Sequence, residues 1–435
     1  MAGALVAPAS KRKNAWREGV VVIWWIARPH IRTRGLRYSL LVCLMLLSEQ
    51  FRIQTKETMR TVTLIGIGLL AAFSSARAET VQPADGADAV FKPALSWMVP
   101  QTAAEIRDAV EARRGKTELS KLADSMEPGT WAQLETTMPE DLWQAPSKKR
   151  LHIGTWSDDA HWDSRTGQFL FFGVRQARKF VAYSEVNNTW RVIEFEGVNN
   201  APAVAQQFGH QYSGNALDLQ RSQLHIKDRR YDIRMGTWAV TPSYEKSSRE
   251  KAMTRTWSSA MDGLFVLLFQ DSGRLRYLKA GAENWTNLDE IPVHGYHSMA
   301  RDNPFRQEVL FAGGNDSSRV VAITKDGKAK RMKDFPFPEG FTIRTGILTV
   351  DPRSGRYLFK IGTKFVELDS AANEYRLVAD FAKTPWPFGK HESPLVAFIL
   401  EYGVTMWADR KVMLYKHKAC SGEPLPDAAP DKDPK

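Results

Sequence analysis

Six side chains able to hold a sugar or a carboxylate recur at one place in a repeating pattern along this 435-residue chain. Trp156, His210, Arg255, His297 and Arg344 stand five to eight positions ahead of a turn sequence, at Asp163-Ser164, Asp218-Leu219, Asp262-Gly263, Asn303-Pro304 and Asp351-Pro352. His391 stands ten positions ahead of a sixth, Glu401-Tyr402-Gly403. Arginine offers two parallel donors to a carboxylate, and tryptophan offers a stacking face. Neutral histidine can take a proton or bind a metal. If the turns end equivalent strands around one axis, these six residues converge on a funnel. They would then bind a ligand, satisfy one another and trapped water across a wide channel, or, through His210, His297 and His391, ligate a metal.

The elements that must position them follow from the stretch Ala160 to Gly197, which reads as four strands. A first strand ends at Asp163 to Gly167, Gln168 to Val174 is apolar enough to be buried, Lys179 to Ser184 alternates, and Asn187-Asn188-Thr189 leads into Trp190 to Ile193. The mark of the last strand, an aromatic after a polar turn, recurs. Trp131, Trp190, Trp238, Trp285, Lys330 and Tyr375 follow at intervals of 59, 48, 47, 45 and 45, with lysine in the aromatic place at 330. A period near 45 suits a four-stranded propeller blade. The first-strand turns recur in phase with it.

The two ends complete each other. Trp131 to Leu134 is a last strand with no blade before it, whereas the final unit, Pro394 to His417, stops after three strands. An N-terminal strand closing the last blade pairs edges that would otherwise be bare. The expected fold is all-β, a six-bladed propeller with a short N-terminal helical segment. A seventh blade follows if Pro139 to His152 hides strands. Thr102-Ala103-Ala104-Glu105 reads as a capping box opening that helical segment, whose apolar positions Ile106, Val110, Leu119, Leu122 and Met126 are interrupted near Gly115.

From about Gly129 to Lys418 the chain resembles the kelch-repeat, galactose-oxidase-like propellers, bacterial secreted type. The residues that carry the resemblance are Tyr183 to Trp190, Phe311-Ala312-Gly313-Gly314 and Asp351-Pro352-Arg353-Ser354-Gly355. The resemblance implies a ligand at one mouth of the central channel. It does not extend to copper-radical oxidation, which needs a cysteine crosslinked to tyrosine, because the cysteines are Cys43, in the leader region, and Cys420, in the tail.

The net charge of +11 would suggest nucleic acid if it were spread over the chain, but it is not. Residues 1–78 hold 12 of the 60 Lys+Arg and 3 of the 49 Asp+Glu, leaving 48 against 46 in the remainder. Nucleic acid is therefore not an expected partner. Met59-Arg60, the apolar run Thr61 to Phe73 and the ending Ala76-Arg77-Ala78 form a signal peptide. That run of 13 is short of the ~20 residues that span a bilayer, so no stable membrane span is expected in the mature chain. The expected organisation is an upstream extension or long leader over 1–58, a signal peptide over 59–78, an extended and helical segment over 79–127, the propeller over 128–418 and a disordered Pro/Asp-rich tail over 419–435. His161-Trp162-Asp163 is read as ordering its turn.

No Walker, Rossmann or zinc-finger pattern is present in the sequence, and no cofactor or metal is called for. The function expected is an exported binding module, periplasmic or extracellular, for carbohydrate or another acidic ligand, using Trp156, His210, Arg255, His297, Arg344 and His391. The first alternative is a polysaccharide lyase, in which His210 or His297 removes the C5 proton of a uronic acid while Arg255 or Arg344 neutralises its carboxylate. The second is a protein-interaction scaffold. Cleavage after Ala78 predicts that N-terminal sequencing of the exported protein reads from Glu79. A chain beginning near residue 1 contradicts the leader.

Overall fold

The computed structural model of the chain describes residues 98–145, 148–154, 160–173, 179–193, 213–226, 229–242, 252–268, 273–293, 296–315, 317–337, 346–389 and 394–427. The segments assigned above to an upstream extension and a signal peptide lie outside the described residues, as do residues 428–435 of the tail.

Six four-stranded antiparallel sheets form the blades of a propeller. Blade 1 is β4 (His161–Asp163), β5 (Gln168–Gly173), β6 (Lys179–Ser184) and β7 (Thr189–Val192). Blade 2 is β8 (Asn215–Asp218), β9 (Gln223–Ile226), β10 (Arg229–Asp232) and β11 (Thr237–Val240). Blade 3 is β12 (Ala252–Ser258), β13 (Gly263–Leu268), β14 (Arg274–Lys279) and β15 (Thr286–Glu290). Blade 4 is β16 (Ser298–Asn303), β17 (Glu308–Gly313), β18 (Val320–Thr324) and β19 (Ala329–Arg331). Blade 5 is β20 (Gly346–Val350), β21 (Tyr357–Ile361), β22 (Lys364–Asp369) and β23 (Glu374–Asp380). Blade 6 is β24 (Leu395–Ile399), β25 (Val404–Ala408), β26 (Val412–Lys416) and, from the other end of the chain, β1 (Thr130–Leu134). Each first strand neighbours the next, and β24 neighbours β4, which closes the ring.

The closure is the expected one. β1 runs antiparallel to β26 with Trp131 opposite Tyr415, their rings stacked 4.5 Å apart. Trp131 also meets Trp407 and Trp386 edge-on. The candidate seventh blade is not one: among the described residues, Pro139 to His152 holds only a two-stranded hairpin, β2 (Gln144–Ala145) with β3 (Lys148–His152).

Burial explains the strand patterns. Second and third strands are packed on both faces by neighbouring blades, so β13 and β17 are buried throughout. β6, which reads as alternating, is buried over its first five residues for the same reason. Fourth strands face solvent, and β11 and β15 are mostly exposed. The aromatics that mark them fold inward. Trp190 packs on Phe169 and Tyr183, Trp238 on Tyr231, and Tyr375 on Phe335 and Phe359. In blade 4 Lys330 takes that place and donates to the Ser370 carbonyl of blade 5.

The recurring turn after each first strand does more than reverse the chain. Asp163 accepts from the Thr166 hydroxyl within its own turn and from Ser222 of blade 2. Asn303 accepts from the amides of Phe305 and Arg306 and donates to the Gly355 carbonyl of blade 5. Arg221 of blade 2 forks onto Asp262 of blade 3 at 2.7 and 2.9 Å. These turns therefore tie one blade to the next.

Helices α1 (Pro100–Arg113) and α2 (Glu118–Ser125) lie on this turn end. Thr102 falls inside α1, which opens at Pro100 without a side-chain cap, so the capping-box expectation fails. Proline supplies a preset φ where its missing N–H costs nothing. The side-chain cap sits one helix later, where Thr117 accepts from the Ser120 amide. The break between the helices is at Gly115, φ +68°.

Past the propeller, residues 419–427 run along blade 5. The Cys420 amide donates to Glu367, the Leu425 amide to the Tyr375 carbonyl, and Asp427 pairs with Lys333. This part of the tail, expected to lack structure, is held by two of its backbone amides and an ion pair. Deleting residues 128–136 removes β1 and bares β26. The expected outcome is loss of the cooperative thermal transition by circular dichroism; an unchanged melting curve contradicts the clasp.

Candidate functional site

First strands line the axis with both of their faces, because each stands edge-on to the channel between two neighbouring blades. In β16, Ser298 and Asp302 turn toward blade 3 through Thr254 and Ser259, whereas Asn303 turns toward blade 5. Arg301, two residues before Asn303, shares the blade 5 side. In β12, Trp257 turns toward blade 2 and stacks on His225 at 5.1 Å.

A cavity of about 50 Å³ opens on the axis near the turn end of these strands. At roughly 10–15 Å³ per water this is room for a few heavy atoms. Its walls come from blades 1, 2, 3, 4 and 6: His161, Trp162, Leu217, Gln220, Thr256, Trp257, Arg301, Asp302 and Phe398 are among them. Leu219, also in the wall, packs against the α1 cluster of Met98, Ala103, Ile106 and Val110, so the helix stands behind one side of the cavity.

Two wall groups bear on what the cavity could hold. The Trp257 indole Nε1–H is buried with no acceptor among its neighbours. An unmet buried donor costs about 1–3 kcal/mol. The Asp302 carboxylate accepts from the Ser259 amide at 3.2 Å, and no cation pairs with it among the described residues. Burial pushes its pKa up to about 7, against hydrogen bonds from Ser259 and Asn303 that favour the ionised form. Behind Trp257, burial and the nearby Arg230, Arg255 and Arg221 push His225 down to about 3, so its ring is neutral at ordinary pH.

Of the residues singled out from sequence, Arg255 and His297 are described. Arg255, 2% exposed, lies two residues before Trp257 on the same strand face. His297, 3% exposed, sits just before β16 in the left-handed region at φ +66°, stacked on Tyr296, with Nδ1 2.5 Å from Asn315 Oδ1. A non-glycine residue at such φ is strained and is held there by its surroundings. The two belong to adjacent first strands, joined by Thr254 Oγ1 and Ser298 Oγ at 2.6 Å. Trp156, His210, Arg344 and His391 lie outside the described residues.

The cavity residues were not among those candidates. Arg301-Asp302, a charged pair at the end of a strand that is otherwise buried, was the available signal. His161-Trp162-Asp163 orders its turn through Asp163, as read from sequence, and also contributes His161 and Trp162 to the cavity wall. Trp162 Nε1 itself is committed to Glu401 at 2.7 Å. Among the described residues no group of three or more His, Cys, Asp or Glu could hold a metal ion. Cys420 carries a free thiol, pushed up to about 12 by burial and by Glu367.

No protein-family model and no curated protein matches the chain. Among solved structures it is similar to streptogramin B lyase, at 12% identity over 58% of this chain and 76% of that chain, TM-score 0.40. It is also similar to a structural genomics protein of unknown function from Bacteroides thetaiotaomicron VPI-5482, at 11% identity over 67% and 73%, TM-score 0.42. These likenesses are too weak to carry an argument about function.

Asp302 makes a signed prediction. Its folded pKa of about 7 lies above the ordinary 3.8, so its contribution to stability is complete below about pH 4 and is lost as pH rises through 7. Asp302→Asn cannot ionise. In denaturant titrations its stability relative to the wild type should rise by on the order of 2 kcal/mol between pH 5 and pH 8. A difference that is flat with pH contradicts a raised pKa for this half-buried carboxyl.

Proposed function

We propose that this propeller is an exported binding module that takes a carbohydrate or a small carboxylate-bearing ligand on the ring axis. The observation that carries the reading is the axial cavity, where Gln220, Thr256, Arg301 and Asp302 arrive from three blades. A ring closed only for stability would fill that space with apolar side chains, since buried polar groups cost free energy unless they are partnered. In this reading Trp156, His210, Arg255, His297, Arg344 and His391 remain the candidate ligand-binding residues that the blade repeat assigns to the same funnel. The kelch-like, galactose-oxidase-like type is favoured by the Gly313-Gly314 pair, both residues at positive φ where β17 ends. Export rests on the signal-peptide pattern at 59–78. No described helix is long and apolar enough to cross a membrane.

Binding is favoured over a lyase because the lyase needs Arg255 and His297 themselves in contact with a polymer, and both are almost fully buried, whereas binding can rest on the cavity residues Gln220, Thr256, Arg301 and Asp302. Isothermal titration of the purified protein against neutral and uronate oligosaccharides should give one saturable site per chain. Ultraviolet absorbance should show no unsaturated product. Growing absorbance establishes the lyase instead, and a stable protein partner without any glycan response establishes the scaffold.

A further inference from the structure

We infer that the axial cavity recognises a neutral hydroxylated compound, a polyol or the edge of a neutral sugar, which accepts from Trp257 Nε1 and donates to the Asp302 carboxyl. The inference rests on the reading of the ring axis as the ligand site and narrows its chemistry.

Four observations converge. Trp257 is 5% exposed, lines the cavity, and has a ring nitrogen that can only donate and has no acceptor. Asp302 lines the same cavity, is held by the Ser259 amide and carries no ion pair among the described residues. A hydroxyl is both acceptor and donor, so two hydroxyls of one small molecule can meet both groups, with Thr256 and Gln220 adding neutral polar contacts. The volume, about 50 Å³, fits a few heavy atoms, and the Trp162 and Phe398 side chains in its wall supply the apolar contact that a sugar's C–H face uses.

Charge selects against the carboxylate alternative. A ligand anion would stand beside a carboxyl that pairs with no cation among the described residues, and like charges in a partly buried site repel. Arg301 does not cancel this. It also lines the cavity, but its NH1 is taken by the Ala300 carbonyl at 3.0 Å, and among the described residues it makes no ion pair with Asp302.

The test is calorimetric titration of the purified protein with glycerol, erythritol, galactose and galacturonate, repeated on Asp302→Asn, Asp302→Leu and Trp257→Phe. A neutral member should bind at least about 10-fold more tightly than galacturonate. Trp257→Phe keeps a ring but loses the donor and should weaken binding about 3- to 10-fold. Asp302→Asn should retain binding to within a few-fold, and Asp302→Leu should abolish it. If the tryptophan variant fails to fold, the indole N–H resonances of the wild type substitute for it, and one should move downfield on saturation with the neutral ligand. Galacturonate binding as tightly as the neutral sugar overturns the inference. So does binding unchanged in all three variants, which leaves a ligand elsewhere on the axis. No binding by any compound means the cavity holds water only, and overturns the axial reading as well.

Discussion

Ring closure is the constraint on which the rest of this structure depends. A propeller has no covalent end, and each blade is stable only because its neighbours bury both faces of its inner strands. The last junction must therefore be made by residues far apart in the chain. Two devices make it here. The outer one is β1 on β26, sealed by the Trp131 and Tyr415 rings. The inner one is Glu401, which accepts from Trp162 Nε1 at 2.7 Å and Ser164 Oγ at 2.6 Å and so holds blade 6 to blade 1. Burial raises the pKa of Glu401, opposed by these donors and by Arg113, so the carboxylate form depends on the junction being intact.

Arg113 links that junction to the N-terminal helices. At the last turn of α1 its Nε donates to Glu185 at 2.9 Å, while its other nitrogens reach the carbonyls of Ser164 and Arg165. Glu185 also accepts from Thr117 and Tyr402. Gly167 is required at the centre of this cluster: its φ is +64°, and a Cβ there would lie 2.7 Å from Arg113 Nε. The helical segment is thus a buttress on the turn end of the ring, and it stands behind the same wall that bounds the cavity.

The contrast between this junction and the cavity is instructive about function. At the closure nearly every buried polar atom has a partner, as expected of groups whose purpose is structural. In the cavity wall, Trp257 Nε1 has none and Asp302 pairs with no cation among the described residues. The same chain that meets the Glu401 carboxylate with Trp162, Ser164 and Arg113 leaves the Trp257 donor without an acceptor and gives Asp302 the Ser259 amide but no ion pair among the described residues.

Much of the architecture was legible because it is periodic. The aromatic marks and the Asp or Asn turns recur once per blade, since each blade meets the same packing problem, and the unmatched strand at Trp131 with the missing strand after His417 indicated the closure, while the choice of six blades over seven came from the short hairpin at Pro139 to His152. The site was less legible. Sequence position identifies which residues belong to first strands, and so picked out Arg255 and His297. It does not say at which depth of the channel space remains, because that depends on how Trp162, Trp257 and Phe398 from three blades fill the axis together. Nor could it give Asp302 its raised pKa or Trp257 its unmet donor. Both depend on what neighbouring blades do or do not bring within hydrogen-bond reach, and only the tertiary structure decides that.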